Sequence, residues 1–318
     1  MKLKFIIILL ISNLFASSQI NYSSLILEAE KLYSTKDYGK STTKYQEAFR
    51  IEQKNTSDLY NGACSAALSG QAKIAFEWLN LAIKKGWENK EHLKKDPDLN
   101  SLHEDKRWNE LITYLQKEID KREMYYDKPL QNKLLSIFND DRNIRQQFSA
   151  AQKRFGYQSK QADSIGKIMR HQDSIDLIKV KEILDTYGWV GADKVGRQGN
   201  ETLFLVIQHS DLETQKKYLP MMRQAVKKKN ATPSALALLE DRVALRQGKM
   251  QIYGSQIGVD EETGKMYVLP LEDPDNVDKR RAEVGLDPIA SYVKNWDIIW
   301  NVEEYKKLLP VLILEQKK

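Results

Sequence analysis

Cysteine is almost absent from this chain, with Cys64 alone among 318 residues. A single thiol cannot form an intrachain disulfide, so core burial has to hold the fold together. Cys64 lies among Ala63, Ala66 and Ala67, which predicts a small buried residue and not a reactive thiol, because no electropositive neighbourhood surrounds it. Histidine is nearly as scarce: His92, His103, His171 and His209 are scattered, none paired at metal-ligand spacing. No His-Glu-x-x-His stretch and no nucleophile elbow occurs, and no cofactor is expected. The glycine-rich stretch 191–199 lacks the preceding strand and the Lys-Ser/Thr of a phosphate loop. A dense basic stripe is also missing. The net charge of +6 is spread out, and short basic runs such as Lys227-Lys228-Lys229 form no dense stripe with aromatics between the charges, which excludes a nucleic-acid groove.

What is present describes a globular protein: 41% hydrophobic and 30% charged residues, in a chain long enough for two domains behind an export signal. Residues 1–18 carry that signal, with Lys2 and Lys4 in front of the apolar run Phe5 to Ile11 and small residues at Ala16-Ser17-Ser18. The run is too short to span a bilayer, so the mature chain is expected to be exported, periplasmic or secreted, without stable membrane insertion. No cysteine follows the run, which excludes lipid attachment of the lipoprotein type.

Residues 19–122 repeat with a period of 34: Leu25 aligns with Leu59, Ala29 with Ala63, Ser41 with Ala75, Tyr45 with Leu79 and Ala48 with Ala82. Small residues recur where two antiparallel helices must approach closely. Gly70 marks the turn of the second copy, where Lys36 stands in the first. A degenerate third copy runs from Leu93 through Trp108 to Ile119, opened by Asp96-Pro97-Asp98. The pattern resembles the tetratricopeptide repeat. That implies a short helical solenoid, serving as a scaffold or as a concave surface for a protein or peptide partner.

The repeat is lost by Tyr126, and 126–318 reads as a second domain, mainly α with one β-hairpin. Helices are expected from Leu130 through Phe148, from Gln161 to Thr186, from Glu201 to His209 and from Thr232 to Gly248. Ser210 with Glu213 reads as a capping box. A hairpin is expected over Gln251–Pro270, with Gly254 marking a bulge or a close backbone approach, and a helix is expected from Pro274 to Gly285, capped by Asp273.

Polar groups fall inside the apolar pattern of this second domain. Gln208, His209 and Asp211 close a buried run, Asp241 and Arg242 sit between Leu238 and Leu245, and Gln251, Tyr253 and Gln256 flank Gly254. Arg280 and Arg281 share a helix with Val277. Buried polar groups must be paired or used, which predicts one polar site with an arginine turned inward toward Asp241 or an anionic ligand. The motifs Gln208-His209-x-Asp211, Leu219-Pro220, Glu240-Asp241-Arg242, Gln251-x-Tyr253-Gly254-x-Gln256 and Asp278-x-Arg280-Arg281-x-x-x-Gly285-Leu286 resemble the bacterial domain of unknown function 6624 over about Asp140 to Trp296. That family implies no established activity. Its pattern prefers Asp-Gln where this chain has Asp141-Arg142, so the resemblance assigns Asp141 no role.

Two functional readings follow. In the first, the pocket binds a small polar or anionic ligand through Gln208, Arg242, Gln251, Tyr253, Gln256, Arg280 and Arg281, without chemistry. In the second, His209 is the general base of a hydrolase or transferase, oriented by Asp211 or Asp241, with an arginine clamping an anionic group.

Overall fold

Asx and Ser/Thr caps open most of the long helices, each side-chain oxygen accepting a backbone N–H that the helix cannot satisfy itself. Asn55 accepts from Ser57 and Asp58, Ser159 from Ala162 and Thr232 from Ala235. The computed structural model describes residues 22–53, 55–156, 158–260 and 263–316; the export signal expected over 1–18 lies outside them. The described residues are mainly helical, with one two-stranded antiparallel hairpin, and the chain divides into two units after Met124. Among the described residues no helix is long and apolar enough to cross a membrane.

The first unit consists of antiparallel helices: α1 (22–34), α2 (Tyr38–Ile51), α3 (Thr56–Leu68), α4 (Ala72–Lys84), the short α5 (Lys90–Lys95) running into a 3-10 turn (Pro97–Leu102), and α6 (Lys106–Glu123). The second helix of each pair begins at Tyr38, Ala72 and Lys106, 34 residues apart each time. Ala29, Ser41, Ala48, Ala63, Ala75 and Ala82 are all fully buried, which lets the helix backbones approach. The Ser41 hydroxyl is satisfied there by the Ala29 carbonyl at 2.8 Å. Lys36 adopts the same left-handed conformation as Gly70, with φ of 63° against 76°, so the turn survives the loss of glycine at some strain. Cys64 is buried 3.8 Å from Asp96 Oδ2, and burial together with the Asp96 and Asp98 carboxylates pushes its thiol far above the ordinary range. That is the environment of an inert thiol.

The second unit opens with two long helices, α7 (Lys128–Phe155) and α8 (Lys160–Tyr187), with α9 (Ala192–His209) packed on α7. The helix expected from Glu201 begins earlier. It is broken at Gly196, whose φ of 73° only glycine adopts cheaply and whose missing side chain leaves room for Gln131 and Tyr126. The expected capping box is corrected: Ser210 ends α9, and Asp211 caps α10 (Leu212–Lys227), accepting from the Thr214 amide at 2.8 Å. Helix α11 (Pro233–Arg246) packs on α10, and Leu134, Val180, Leu203, Ile207, Met222 and Leu239 fill the core between these helices.

A second, smaller core of Val268, Leu271, Val277, Ile289, Val293 and Tyr305 underlies the remainder. It is covered by β1 (Ile257–Val259), β2 (Met266–Val268), α12 (Val277–Glu283), α13 (Ile289–Tyr292) and α14 (Val302–Gln316). The strands pair Ile257 with Val268 and Val259 with Met266. The hairpin is therefore shorter than expected: residues 251–256 form a hooked loop instead of a strand arm, anchored by one bridge from Gln251 to Leu271. Asp273 does not cap α12. It adopts a left-handed conformation, with φ of 41°, and a short 3-10 turn (Pro274–Asn276) intervenes.

Candidate functional site

Helix α11 drives Asp241 into the core, where it is fully buried, and its carboxylate is consumed by the 251–256 loop. Oδ1 accepts from the Ile252 and Tyr253 amides at 2.7 and 3.0 Å, and Oδ2 accepts from Ser255 at 3.0 Å. Burial pushes this carboxyl above its ordinary range, while the three amides pull the other way. The expectation that Asp241 pairs with an arginine or orients His209 is thus corrected: backbone amides are its partners.

The loop's other polar groups are spent in the same manner. Gln251 donates to the Gln256 and Leu269 carbonyls and accepts from the Gln256 amide. Arg281, 1% exposed, turns inward as expected but donates to the Tyr253 carbonyl at 2.7 Å and the Asp287 carbonyl at 2.5 Å, with its guanidinium 4.7 Å from the Tyr292 ring centre. Arg280 donates chiefly to the carbonyls of Ile252, Glu272 and Asp273, and also pairs with the Asp273 carboxylate at 3.3 Å. Both arginines that were expected to clamp an anion therefore clamp backbone. Asp278, on the same helix, accepts the Ile289 amide at 2.7 Å. Tyr253 enters through its amide and carbonyl; its half-buried phenol is raised by burial.

A different cluster forms around His209 at the end of α9. Its Nδ1 lies 3.2 Å from Asp141 Oδ1, so the carboxylate selects the tautomer with the proton on Nδ1 and leaves Nε2 as the free acceptor. Arg145, one turn along α7, donates to Asp141 at 2.9 Å and to Asp173 of α8 at 2.6 Å. Burial alone would raise the Asp141 carboxyl, but the bonds from His209 and Arg145 outweigh it and hold the group below its ordinary range. At Asp173 burial prevails over Arg145 and the carboxyl is raised. Asp141, Asp173, Asp176, His209, Ser210 and Asp211 line a cavity of about 280 Å³. A larger groove of about 920 Å³ between α10, α11 and α14 is lined by apolar residues such as Leu219, Pro220, Val243 and Ile313 together with Lys216, Lys249, Glu272 and the Arg223–Glu240 pair, and holds no histidine.

Two of the expected residues join the halves. Arg242 donates to Gln256 Oε1 at 2.8 Å and to the Gln208 carbonyl at 2.9 Å. Gln208, 4% exposed, also accepts from Gln215, and its side-chain oxygen has no donor among the described residues. The structure thus separates the single expected site into a satisfied loop network and a cavity beside His209. Asp141, Arg145 and Asp173 were missed. The signal lay in spacing: Leu130, Leu134, Ile137 and Asp141 continue one buried stripe of α7, and Asp176, Val180 and Ile183 do so on α8.

Residues 21–123 are similar to the A/B hydrolase-like, N-terminal domain. No curated protein and no solved structure matches the chain. Residues 128–303, more than half of the sequence, match the family of unknown function DUF6624, and the span holds both the satisfied loop and the His209 cavity. The chain belongs to the DUF6624 family.

Proposed function

We propose that this is an exported, noncatalytic binding and scaffolding protein whose second unit holds a small polar ligand in the cavity beside His209. The observation that carries the reading is the contrast between two polar clusters. The Asp241 loop network spends its carboxylate and both neighbouring arginines on backbone groups, whereas His209 and Asp173 stand at the wall of an open cavity. Groups satisfied by backbone fix a shape; groups facing a cavity are available to a ligand. The first unit is read as tetratricopeptide-like repeats that dock a protein or peptide partner, supported by the 34-residue spacing of its helices and their small buried contact residues. Export rests on the basic, apolar and small-residue order of residues 1–18.

A second reading is favoured by one observation, the Asp141–His209 pair. An imidazole held at Nδ1 by a carboxylate presents Nε2 as a general base, the arrangement of a hydrolase or transferase. In it Asp141 replaces Asp211 and Asp241 as the orienting group.

Thermal shift of the full chain against a panel of small polar metabolites, repeated with His209→Ala, separates the readings. A stabilising ligand whose effect is lost in a variant with the parent's melting temperature supports binding. Turnover of that ligand, abolished by the same substitution, moves the assignment to the enzyme. If the variant keeps every ligand response, the cavity is not the site.

A further inference from the structure

Two guanidinium groups converge on the end of α9 without a carboxylate to balance them. Arg242 and Arg246 are one turn apart on α11. The first donates to the Gln208 carbonyl at 2.9 Å and the second to the Ser210 carbonyl at 2.7 Å, so they straddle His209 along the backbone. From α7, Arg145 approaches the same residue through Asp141. Its charge is met by Asp141 and Asp173, whereas Arg242 and Arg246 form no ion pair among the described residues.

The partners of Arg242 are all neutral. Gln256 is held in place to receive it, because its own amide donates to the Ser255 hydroxyl at 3.0 Å. The carbonyls of the α9 terminus carry only partial charge, and that of Gln208 already accepts the Gln215 side-chain amide. Arg242 keeps Nη2, and Arg246 keeps Nε and Nη2, without an acceptor among the described residues. Burial, and then the charges of Arg246 and Arg145, pull the Arg242 guanidinium down to about 10. A half-buried cation beside two others is costly unless an anion compensates it. The planar fork of arginine suits the paired oxygens of carboxylate and phosphate.

We propose that Arg242 and Arg246, backed by Arg145, bind one anionic group, a carboxylate or a phosphate, at the end of α9. This deepens the binding reading by naming the chemical class of its ligand: a small organic anion whose polar remainder enters the cavity beside His209. The site also relocates the expected anion clamp from Arg280 and Arg281, which hold backbone.

The test uses the full chain with inorganic phosphate and, separately, succinate, each compared with chloride at equal ionic strength. Calorimetry and thermal shift are expected to show saturable binding of at least one. Preference between the two assigns phosphate or carboxylate. Arg246→Gln is the decisive variant, because Arg246 is exposed and its substitution leaves the core intact. It should weaken binding by at least about tenfold, the effect of losing one charge-assisted hydrogen bond. Arg242→Lys keeps the charge, loses the fork, and should weaken binding as well. His209→Ala should retain the anion even if it loses a larger ligand, which separates this site from the cavity reading. Equal response to phosphate, succinate and chloride would overturn the proposal, as would parent-like affinity in Arg246→Gln.

Discussion

Substituting Asp241 by Asn tests whether the buried carboxylate is the keystone of the 251–256 loop. Both of its oxygens accept backbone amides, those of Ile252, Tyr253 and Ser255, the Ser255 side chain adds a further bond, and no cation forms an ion pair with the carboxylate among the described residues. Asn keeps the volume and one acceptor oxygen. Its amide group then faces either the Ser255 N–H or the Ile252 N–H, and one donor is left without a partner whichever way it flips. A hydrogen bond to a charged group contributes about 1.5–3 kcal/mol, and a stranded buried donor costs about 1–3 kcal/mol. Asp241→Asn should therefore destabilise the second unit by about 3–4 kcal/mol. For a unit of this size that is a fall in melting temperature of roughly 6–16 °C. Amide hydrogen exchange read by mass spectrometry localises the effect: Ile252, Tyr253 and Ser255 should lose protection first, while the first unit is unchanged. Parent-like exchange across 251–256 in a variant of unchanged melting temperature would refute the argument, because the carboxylate would then be dispensable.

Two further predictions follow from named groups. Asp141 is held below its ordinary range, so it contributes stability that is complete above the usual carboxylate range and disappears as pH falls through its folded value. Asp141→Asn should accordingly flatten the decline in melting temperature between neutral and acid pH, which a pH series of thermal melts checks; identical slopes in parent and variant would contradict it. At Gly254, φ is 66°, and an added Cβ would come within 2.7 Å of Ile289 Cδ1. Gly254→Ala should cost about 1–3 kcal/mol from the backbone alone, with Ile289→Val restoring the part due to the clash; denaturant titration of the single and double variants measures both.

Much of the architecture was legible from local pattern. The 34-residue period, the helix start at Thr232 and the glycine stops act within a few residues of chain, and each left its mark in the sequence. Gly254 was legible too, because only a close approach or a left-handed turn demands glycine inside a polar motif. The site was legible in part. That Asp241 and Arg281 turn inward followed from the apolar residues around them, but their partners are main-chain groups, and main-chain groups leave no residue signature. Asp141 sits beside Arg142, where the family pattern is broken, and its partner His209 is far off in the chain, so only its place on the buried stripe of α7 marked it.

The sequence alone determined the helical character of both units and the boundary near Met124, and it marked Gln208, Asp241, Gln251 and Arg281 as polar residues drawn out of water. These depend on short-range periodicity and on burial costs that each residue carries by itself. Only the tertiary structure decided which of those residues meet. Asp141 lies 68 positions from His209 and Arg242 lies 34 from Gln208, and contacts across such separations are set by how whole helices pack. Helix packing, therefore, made a structural network of one set of buried charges and left the other facing a cavity.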